Sequence, residues 1–252
     1  MRKLLFLFLV FFNINLLNGQ LTTPRNYVFD PHGAIVRINP DQKVIYLIFT
    51  ADETFEGGET VLQTLEKNNI KGSFFLTGNC LRIKEFEPLI RKIISHGHYV
   101  AAHGDDHLLY APWDNRQISL VTPDSLLNDL RQNNKELERF GINVSQLRYY
   151  NPPYQYYNSE HVRLIQSMGL YTLNLTPGVR MSADYTTPDM PNYRSSQELI
   201  DMLFEFEKQS GLNGAIILTH PGTPDERTDK LYNRLDEVIK RLKELGYSFE
   251  RL

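Results

Sequence analysis

Short apolar runs alternate with longer amphipathic segments along most of this chain, from Val44 to its end. An apolar run bounded by turn residues is typical of a buried strand, and an amphipathic segment is typical of a helix that covers a sheet. Their alternation predicts repeated βα units, because parallel strands need a crossover between them. The apolar runs are 44–49, 72–76, 98–102, 146–150, 170–174, 214–219 and 247–252, and the predicted helices are 59–68, 84–95, 123–140, 159–168, 196–209 and 230–245.

The length of 252 residues fits one large α/β domain. We predict this domain over residues 44–252, and an N-terminal extension over residues 20–43 with at most one strand, at 34–38. The alternating pattern contains no internal repeat and no linker. One core and one ligand-binding edge are therefore expected.

Residues 1–19 have the layout of a secretory signal peptide: two basic residues, Arg2 and Lys3, then an apolar run over 4–12 and a small-residue region ending at Gly19. A membrane anchor is the alternative, but the apolar run is short for a bilayer span. We expect export to the periplasm or the extracellular space, with no stable membrane span after cleavage. Loss of Arg2 and Lys3 lowers the 27 basic residues by two against 30 acidic ones, a net charge of −5, which argues against nucleic acid as a partner.

The segment His103-Gly-Asp-Asp-His107 leaves the end of a predicted strand. Two imidazoles four residues apart can hold one divalent metal, and Asp52, after another apolar run, is the leading third ligand. One carboxylate and two imidazoles suit zinc or another first-row metal and leave positions open for water and substrate. A chance pair of histidines is the alternative. Asp105 and Asp106 are interpreted as hydrogen-bond acceptors for the metal-binding imidazoles or, more simply, as negative charge at a helix N-terminus.

Polar residues follow several of the predicted strands, because Asp52, His103, Asn151 and His220 each come directly after an apolar run. The carboxyl ends of parallel strands meet at one side of a sheet, where ligands bind. We therefore expect these side chains to converge. His220 is interpreted either as a structural residue or as a general acid beside the metal.

Taken together, these motifs resemble the polysaccharide deacetylase family, also called the NodB-homology domain or carbohydrate esterase family 4. The resemblance covers roughly residues 35–252, and the order and spacing of the motifs make it specific. The motifs are Tyr46-Leu-Ile-Phe49, Gly72-Ser-Phe-Phe-Leu-Thr-Gly78, Gly97-His-Tyr-Val-Ala-Ala-His103, Pro152-Pro-Tyr154, Ile217-Leu-Thr-His220 and Leu245-Gly-Tyr-Ser-Phe249.

The resemblance implies an α/β fold, a distorted (β/α) barrel, and metal-dependent hydrolysis of N-acetyl or O-acetyl groups on a glycan. The implied cofactor is a divalent metal, zinc first, with cobalt, nickel or manganese as alternatives. His103 and His107 match the family's metal ligands, and His220 matches its general acid. The backbone amide of Tyr154 matches its oxyanion donor.

The first motif departs from the family pattern, because Thr50 and Ala51 stand where the family carries two adjacent aspartates, a base and a metal ligand. Neither residue can do this work. We predict that Asp52 ligates the metal and Glu53 is the base; an exchange of these roles is the alternative. In addition, Asn151 replaces the arginine that usually orients the base, and Arg148 is expected on the opposite face of its strand.

The segment 173–184 lacks the family's usual acid and tryptophan. Leu173, Leu175 and Leu218 are candidates for the wall that receives the acetyl methyl group. Asp184 is available as an acid, but we expect it in a surface loop.

Aromatic residues crowd the predicted site and are typical of a glycan groove, although packing against the core is an equal alternative. The predicted substrate contacts are Tyr150, Asn151, Pro153 and Leu218, and the other aromatic candidates are Trp113, Tyr149, Tyr154, Tyr156 and Tyr157. Three functions follow, in decreasing order of preference. They are a metal-dependent deacetylase of an acetylated glycan, a glycan-binding pseudoenzyme that keeps the metal site, and a deacylase of a small non-glycan molecule.

Overall fold

A computed structural model of the protein describes residues 25–252. The predicted signal peptide lies outside these residues. None of the described helices is long and apolar enough to cross a membrane.

The fold is a curled sheet with helices on its outer face, which is the predicted α/β architecture of an incomplete barrel. The strands are β1 (Tyr27–Phe29), β2 (Ile35–Ile38), β3 (Val44–Ala51), β4 (Ser73–Leu76), β5 (Tyr99–Ala102), β6 (Tyr149–Tyr150), β7 (Tyr171–Thr172), β8 (Ala215–Thr219) and β9 (Ser248–Glu250). The helices are α1 (Gly58–Lys67), α2 (Gly78–Arg82), α3 (Glu87–Ser95), α4 (Pro123–Arg139), α5 (Ser159–Ser167), α6 (Ser196–Ser210) and α7 (Leu235–Glu244).

Strand β3 lies at the centre, and all eight of its residues are buried. It pairs in parallel with β8 on one edge and with β4 and β9 on the other. The order of the main sheet is β1-β2-β8-β3-β4-β5, and β6 pairs with β7 separately. A parallel bridge between Ile35 and Leu173 joins the two sheets, so the sheet curls around an interior.

Alternate residues of each strand fill two different cores, as the period-2 geometry of a strand requires. Ile45, Leu47 and Phe49 of β3 face the helices, whereas Tyr46 and Ile48 face the barrel interior. The same alternation holds in β4, β5 and β8, where Phe75, Ala101, Ile216 and Leu218 point inward. The interior is thus a packed core, and only its upper rim is available for ligands.

Several elements differ from their predicted bounds. The run 146–150 forms a strand only at Tyr149–Tyr150, because Val144–Gln146 is a 3₁₀ turn. The predicted helix 84–95 divides at Pro88, whose ring is tolerated only in a first helical turn, so Lys84–Phe86 is a separate 3₁₀ turn. Likewise, Leu231–Arg234 is a 3₁₀ turn before α7.

The N-terminal segment belongs to the main sheet. The strand predicted at 34–38 is present as β2, which pairs with β8, and the unpredicted β1 pairs with β2. The short helix α2 was also not predicted; it begins at Gly78, after Thr77 caps the amide of Cys80. Its length of five residues is below what an amphipathic pattern reveals.

Candidate active site

A cavity of about 590 Å³ opens above the barrel interior, at the carboxyl ends of the parallel strands. The strand alternation explains its composition, because Thr50, His103 and His220 continue the inward-facing positions of β3, β5 and β8. The polar side chains that line it include Thr50, Asp52, Thr54, His103, His107 and His220. Of the four side chains expected to converge, Asp52, His103 and His220 line this cavity, whereas Asn151 does not.

His103 is buried at the end of β5, with 2% of its surface exposed. Its Nδ1 lies 2.7 Å from the backbone oxygen of Asn151. A carbonyl only accepts hydrogen bonds, so Nδ1 carries the proton and Nε2 keeps its lone pair. Burial, with a smaller contribution from His107, holds the pKa of His103 well below its usual value, which favours the neutral ring that binds metals.

His107 lies beside His103, and their ring centroids are 5.1 Å apart. Its backbone has a φ of 52°, a left-handed conformation, and its side chain lines the cavity. Burial lowers the pKa of His107, whereas the nearby Asp52 carboxylate raises it. The Nδ1 atom of His107 is 3.8 Å from Oδ2 of Asp52.

Asp52, directly after β3, is held by Thr77, the residue that follows β4. Its Oδ1 accepts a hydrogen bond of 2.7 Å from the Thr77 hydroxyl, and Oδ2 is directed toward His107. This arrangement leaves Oδ2 for a second partner. Thr77 was missed from the sequence, although it too follows an apolar run.

The three predicted metal ligands have the donor chemistry of a divalent-metal site. Asp52, His103 and His107 all line one cavity, and the carbonyl that holds His103 is the usual outer partner of a metal-bound imidazole. Their spacing is wider than a closed site, and within residues 25–252 no three His, Cys, Asp or Glu side chains are already gathered as a metal site. The proposed ligands are therefore neighbours in pairs, Asp52 with His107 and His103 with His107, rather than one closed set of three.

Two side chains of α4 hold the loop that carries both histidines. Asp129 accepts hydrogen bonds of 2.9 Å from the backbone amides of Asp105 and Asp106, and Asn133 accepts one from the amide of His103. Burial raises the pKa of Asp129, and the amides oppose that shift. The predicted helix N-terminus at Asp105 is wrong, because no helix begins there; Asp105 instead forms an ion pair of 2.8 Å with Arg82.

His220 forms a dyad with Asp184, which the sequence analysis wrongly expected on the surface. Asp184 is fully buried in a 3₁₀ turn, Met181–Tyr185. Its Oδ1 lies 2.6 Å from Nδ1 of His220, and its Oδ2 accepts from the His220 amide at 2.8 Å. The dyad leaves Nε2 of His220 available to the cavity. The partner compensates the burial of the carboxylate, which would be costly without one.

The cavity wall contains no carboxylate at the family's base position. Thr50 is 2% exposed, and its hydroxyl has no hydrogen-bond partner among the described residues. Ala51 lines the cavity next to it. Glu53 is exposed and does not line the cavity, so its position does not support the predicted role as base.

None of the four predicted substrate contacts lines the cavity, whereas Tyr154, the predicted oxyanion donor, does. Tyr154 lines the cavity, and its amide lies in the first turn of a 3₁₀ helix, where intrahelical partners are lacking. Tyr150, Asn151, Pro153 and Leu218 are buried and do not line the cavity.

Each of these four has a structural contact instead. Tyr150 faces outward and bonds the hydroxyl of Tyr110. Asn151 donates to the Leu173 carbonyl at 2.8 Å. Pro153 packs beside Gly104, and Leu218 lies one layer below His220 in the barrel interior. Of the three leucines predicted for the acetyl wall, only Leu175 lines the cavity.

Arg148 is exposed and bonds the backbone of its own loop, as expected for the opposite face from Asn151. Among the other aromatic candidates, Tyr149 and Tyr157 are buried, whereas Trp113 and Tyr154 are exposed at the cavity mouth. Tyr185 was not predicted; it is exposed on the same cavity, 5.7 Å from the ring of His220.

Comparison with known proteins identifies the same family by sequence and by fold. The family model for polysaccharide deacetylase matches residues 37–173. The peptidoglycan-N-acetylmuramic acid deacetylase PdaA of Bacillus subtilis is 26% identical over 229 residues, which cover 90% of this chain and 76% of PdaA.

Two solved structures share the fold. BA3943 of Bacillus anthracis, described as a CE4 family pseudoenzyme, has a TM-score of 0.68 and 22% identity, covering 87% of this chain and 67% of its own. A family 4 acetyl xylan esterase of Clostridium thermocellum, solved in complex with a cobalt ion, has a TM-score of 0.63 and 19% identity, covering 82% and 87%.

Proposed function

The chain belongs to the polysaccharide deacetylase family, and on that premise we propose that it is a metal-dependent hydrolase that removes acetyl groups from a glycan. The observation that carries the proposal is the cavity in which Asp52, His103, His107 and the buried His220–Asp184 dyad meet. Metal-assisted hydrolysis needs such groups: donors for a metal, and beside them a histidine oriented by a buried carboxylate.

Asp52, His103 and His107 are the proposed ligands of one divalent metal, zinc first, with cobalt, nickel or manganese as alternatives. The metal, when bound, supplies Lewis acidity that polarises the acetyl carbonyl and makes a water molecule more acidic. The Thr77 hydroxyl and the Asn151 carbonyl orient two of these ligands. The fixed orientation reduces the entropy that metal binding costs.

His220 is the proposed proton carrier of the reaction. Asp184 engages Nδ1 of His220, so Nε2 is available to take a proton from the attacking water and return it to the departing amine or alcohol. A histidine that acts both as base and as acid does not need a separate carboxylate base. This agrees with Thr50 and Ala51 in place of the two acids of the first motif. The predicted role of Glu53 as base requires the loop after β3 to turn this exposed side chain into the cavity.

The amide of Tyr154 is the proposed donor to the developing oxyanion. A donor that is fixed before the reaction stabilises the transition state without reorganisation. Tyr154 has a φ of 57°, a conformation that costs a bulky residue energy and is kept where the surrounding structure requires it. Leu175 is the proposed wall for the acetyl methyl group, because it is the predicted leucine that reaches the cavity.

The proposed substrate is an acetylated glycan of the cell-wall type, as the name of PdaA suggests. Action on such a polymer outside the cytoplasm agrees with the expected export of the chain. The exposed Trp113 and Tyr154 favour a glycan over a small non-glycan substrate, for which a closed apolar pocket is expected.

A glycan-binding pseudoenzyme is the second candidate. It is favoured by Thr50 and Ala51 in place of acids and by the fold shared with BA3943. The two candidates differ in turnover, because both predict a metal and a bound glycan.

Acetate release from N-acetylated peptidoglycan fragments by the zinc-loaded protein tests the proposal. We expect turnover in the parent, its loss in His103→Ala, and its retention in His96→Ala, a matched change at a histidine away from the cavity. Acetate release by Glu53→Gln is expected to stay within about threefold of the parent. A loss of about 100-fold would identify Glu53 as the base. Glycan binding by calorimetry without acetate release would favour the pseudoenzyme.

A further inference from the structure

A second cavity, of about 340 Å³, lies at the amino end of β5, whereas the candidate active site lies at the carboxyl end of this strand. It is here called the basal cavity, and its lining includes Ile94, His98, Val100, Ile142, Asn143 and Arg251. Its volume is within the range of sites that hold small molecules. The two cavities share no lining residue, so a ligand in the basal cavity does not depend on the proposed function.

His98 has a buried hydrogen-bond donor without an acceptor. The residue is 5% exposed, and its Nδ1 accepts the amide of Gly72 at 3.0 Å. A neutral imidazole has one donor and one acceptor, so Nε2 carries the proton. Among residues 25–252, buried Nε2 has no hydrogen-bond partner. A buried N–H group without an acceptor destabilises a protein, and such groups are normally satisfied by water or by a ligand.

The Nε2 atom of His98 is directed away from strand β4. Nδ1 faces Gly72, the residue before β4, and the two nitrogens of an imidazole point to opposite sides of the ring. The segment 142–147, which forms the other wall of the basal cavity, precedes β6. Strand β6 lies beside β5 on the side away from β4, where the Tyr99 hydroxyl accepts the amide of Tyr149. The unpaired donor therefore faces the side on which the basal cavity lies.

The polar part of the lining is rich in donors. Among the described residues that line the basal cavity, Arg251 is the only charged side chain, and none is an aspartate or a glutamate. Asn143 uses its Oδ1 to accept from Ser145, which leaves its amide N–H groups as donors. The apolar part of the lining consists of Ile94, Val100, Ile142 and Leu147. This combination favours a ligand with an anionic acceptor at one end and an apolar body at the other.

We propose that the basal cavity binds a small organic carboxylate. The carboxylate accepts from the Nε2–H group of His98 and is attracted by the Arg251 guanidinium, and the apolar body of the ligand covers the apolar part of the lining. A hydrogen bond to a charged acceptor is stronger than one to a neutral acceptor. An inorganic anion offers the same charge but leaves the apolar side chains in contact with water.

Methyl NMR of the zinc-loaded full chain, titrated with sodium benzoate, tests the site. The methyl groups of Val100 and Ile142 report on the basal cavity, and those of Leu175 report on the candidate active site, where zinc can also bind a carboxylate. We expect saturable shifts of the Val100 and Ile142 signals, with a dissociation constant on the order of 0.1–1 mM. Benzamide has nearly the same shape without the charge and should bind at least about tenfold more weakly.

The donors are tested separately. In nitrogen NMR of the imidazoles, the Nε2 resonance of His98 should move with the same dissociation constant as the methyl signals. Arg251→Gln, a change at an exposed residue, should raise the dissociation constant of benzoate about three- to tenfold. Arg148→Gln is the matched control, because Arg148 is exposed and does not line the basal cavity. Ile142→Trp fills the cavity without removing either donor and should abolish the shift of Val100.

Shifts confined to Leu175 would overturn the inference, because benzoate would then bind only at the candidate active site. A dissociation constant above about 10 mM in the parent would overturn it as well. Equal affinities for benzoate and benzamide, or equal benzoate affinities of the parent and Arg251→Gln, would mean that apolar contact alone holds the ligand. An Nε2 resonance of His98 that stays fixed at saturation would exclude the buried donor from the site.

Discussion

Nδ1 of His220 lies 2.6 Å from Oδ1 of Asp184, and the same carboxylate accepts the backbone amide of His220 through its other oxygen. Asp184 is fully buried and the His220 side chain is 19% exposed. An isolated buried carboxylate is costly, whereas one that accepts two hydrogen bonds is compensated. The pair therefore fixes the orientation of the imidazole and anchors the 3₁₀ turn before residue 186 to the end of β8.

Asp184→Asn is expected to reduce acetate release by about 10²- to 10⁴-fold, because the amide no longer stabilises a protonated His220 or enforces its tautomer. Zinc affinity should change little, since Asp184 does not contact the metal ligands. Asp225→Asn, the same change at an exposed acid in the loop after β8, is the control. Unchanged turnover in Asp184→Asn would exclude His220 as the proton carrier.

The sequence predicts the histidines of this site well, because strand periodicity and motif order both act over short ranges. His103 and His220 follow apolar runs, and the alternation of strand residues places them on the inner rim. Asp184 was not predicted as a buried partner, since its contact with His220 spans 36 residues and depends on tertiary packing. Tyr150 was wrongly predicted to contact the substrate. It is adjacent to Asn151 in the chain, so it points to the opposite side of the strand, which the helices cover.

Zinc should stabilise the parent protein against heat. At a zinc concentration of about 100 times the dissociation constant, ligand binding adds about 2.7 kcal/mol, or roughly 5–10 °C in melting temperature for a domain of this size. His107→Ala and Asp52→Ala are expected to abolish this shift. His96→Ala should keep it. A zinc-induced increase in melting temperature as large in Asp52→Ala as in the parent would mean that another residue supplies the metal-binding carboxylate.

Asp129 is expected to govern metal affinity without touching the metal. Asp129→Ala leaves the amides of Asp105 and Asp106 without their acceptor, which costs about 2–4 kcal/mol of stability and loosens the loop between the two histidines. Zinc affinity should fall about 10- to 100-fold, as for other outer partners of metal ligands. Leu137→Ala, a buried change elsewhere on α4, controls for stability alone. Equal zinc affinity in Asp129→Ala and Leu137→Ala would mean that Asp129 stabilises the fold but does not position the metal ligands.

His98 is expected to make the protein less stable in acid. Burial lowers the pKa of His98 to about 4 from 6.5, and its Nδ1 accepts the amide of Gly72 at 3.0 Å. Between these two values the unfolded chain binds a proton that the folded protein does not, so stability falls as the pH drops from 6.5 to 4 and is unaffected above 6.5. The full loss is on the order of 3 kcal/mol.

Denaturant titrations across this pH range provide the measurement for His98. His98→Asn keeps an acceptor near the Gly72 amide but cannot be protonated, so its stability should depend less steeply on pH than that of the parent. His32→Asn, the same change at a half-buried histidine, is the matched control. An identical slope in His98→Asn and the parent would assign the acid sensitivity to other buried histidines.

Thr50→Asp is expected to raise acetate release, because Thr50 lies inside the cavity on the inward face of β3 and its hydroxyl has no partner to lose among the described residues. A carboxylate there can take the proton of the attacking water, which relieves His220 of one of its two proposed roles; a positioned base contributes about 10²- to 10⁴-fold where none is present. The new charge lies close to Asp52 and costs some stability, which a melting curve will record.

Asn151→Arg should not help, since Asn151 is fully buried and an arginine there would overpack the site. Thr54→Asp, which adds the same charge at an exposed position on the cavity, is the control. A gain of about threefold or less in Thr50→Asp would mean that the parent already has an efficient base, whereas activity that appears only in this variant would identify the parent as a pseudoenzyme.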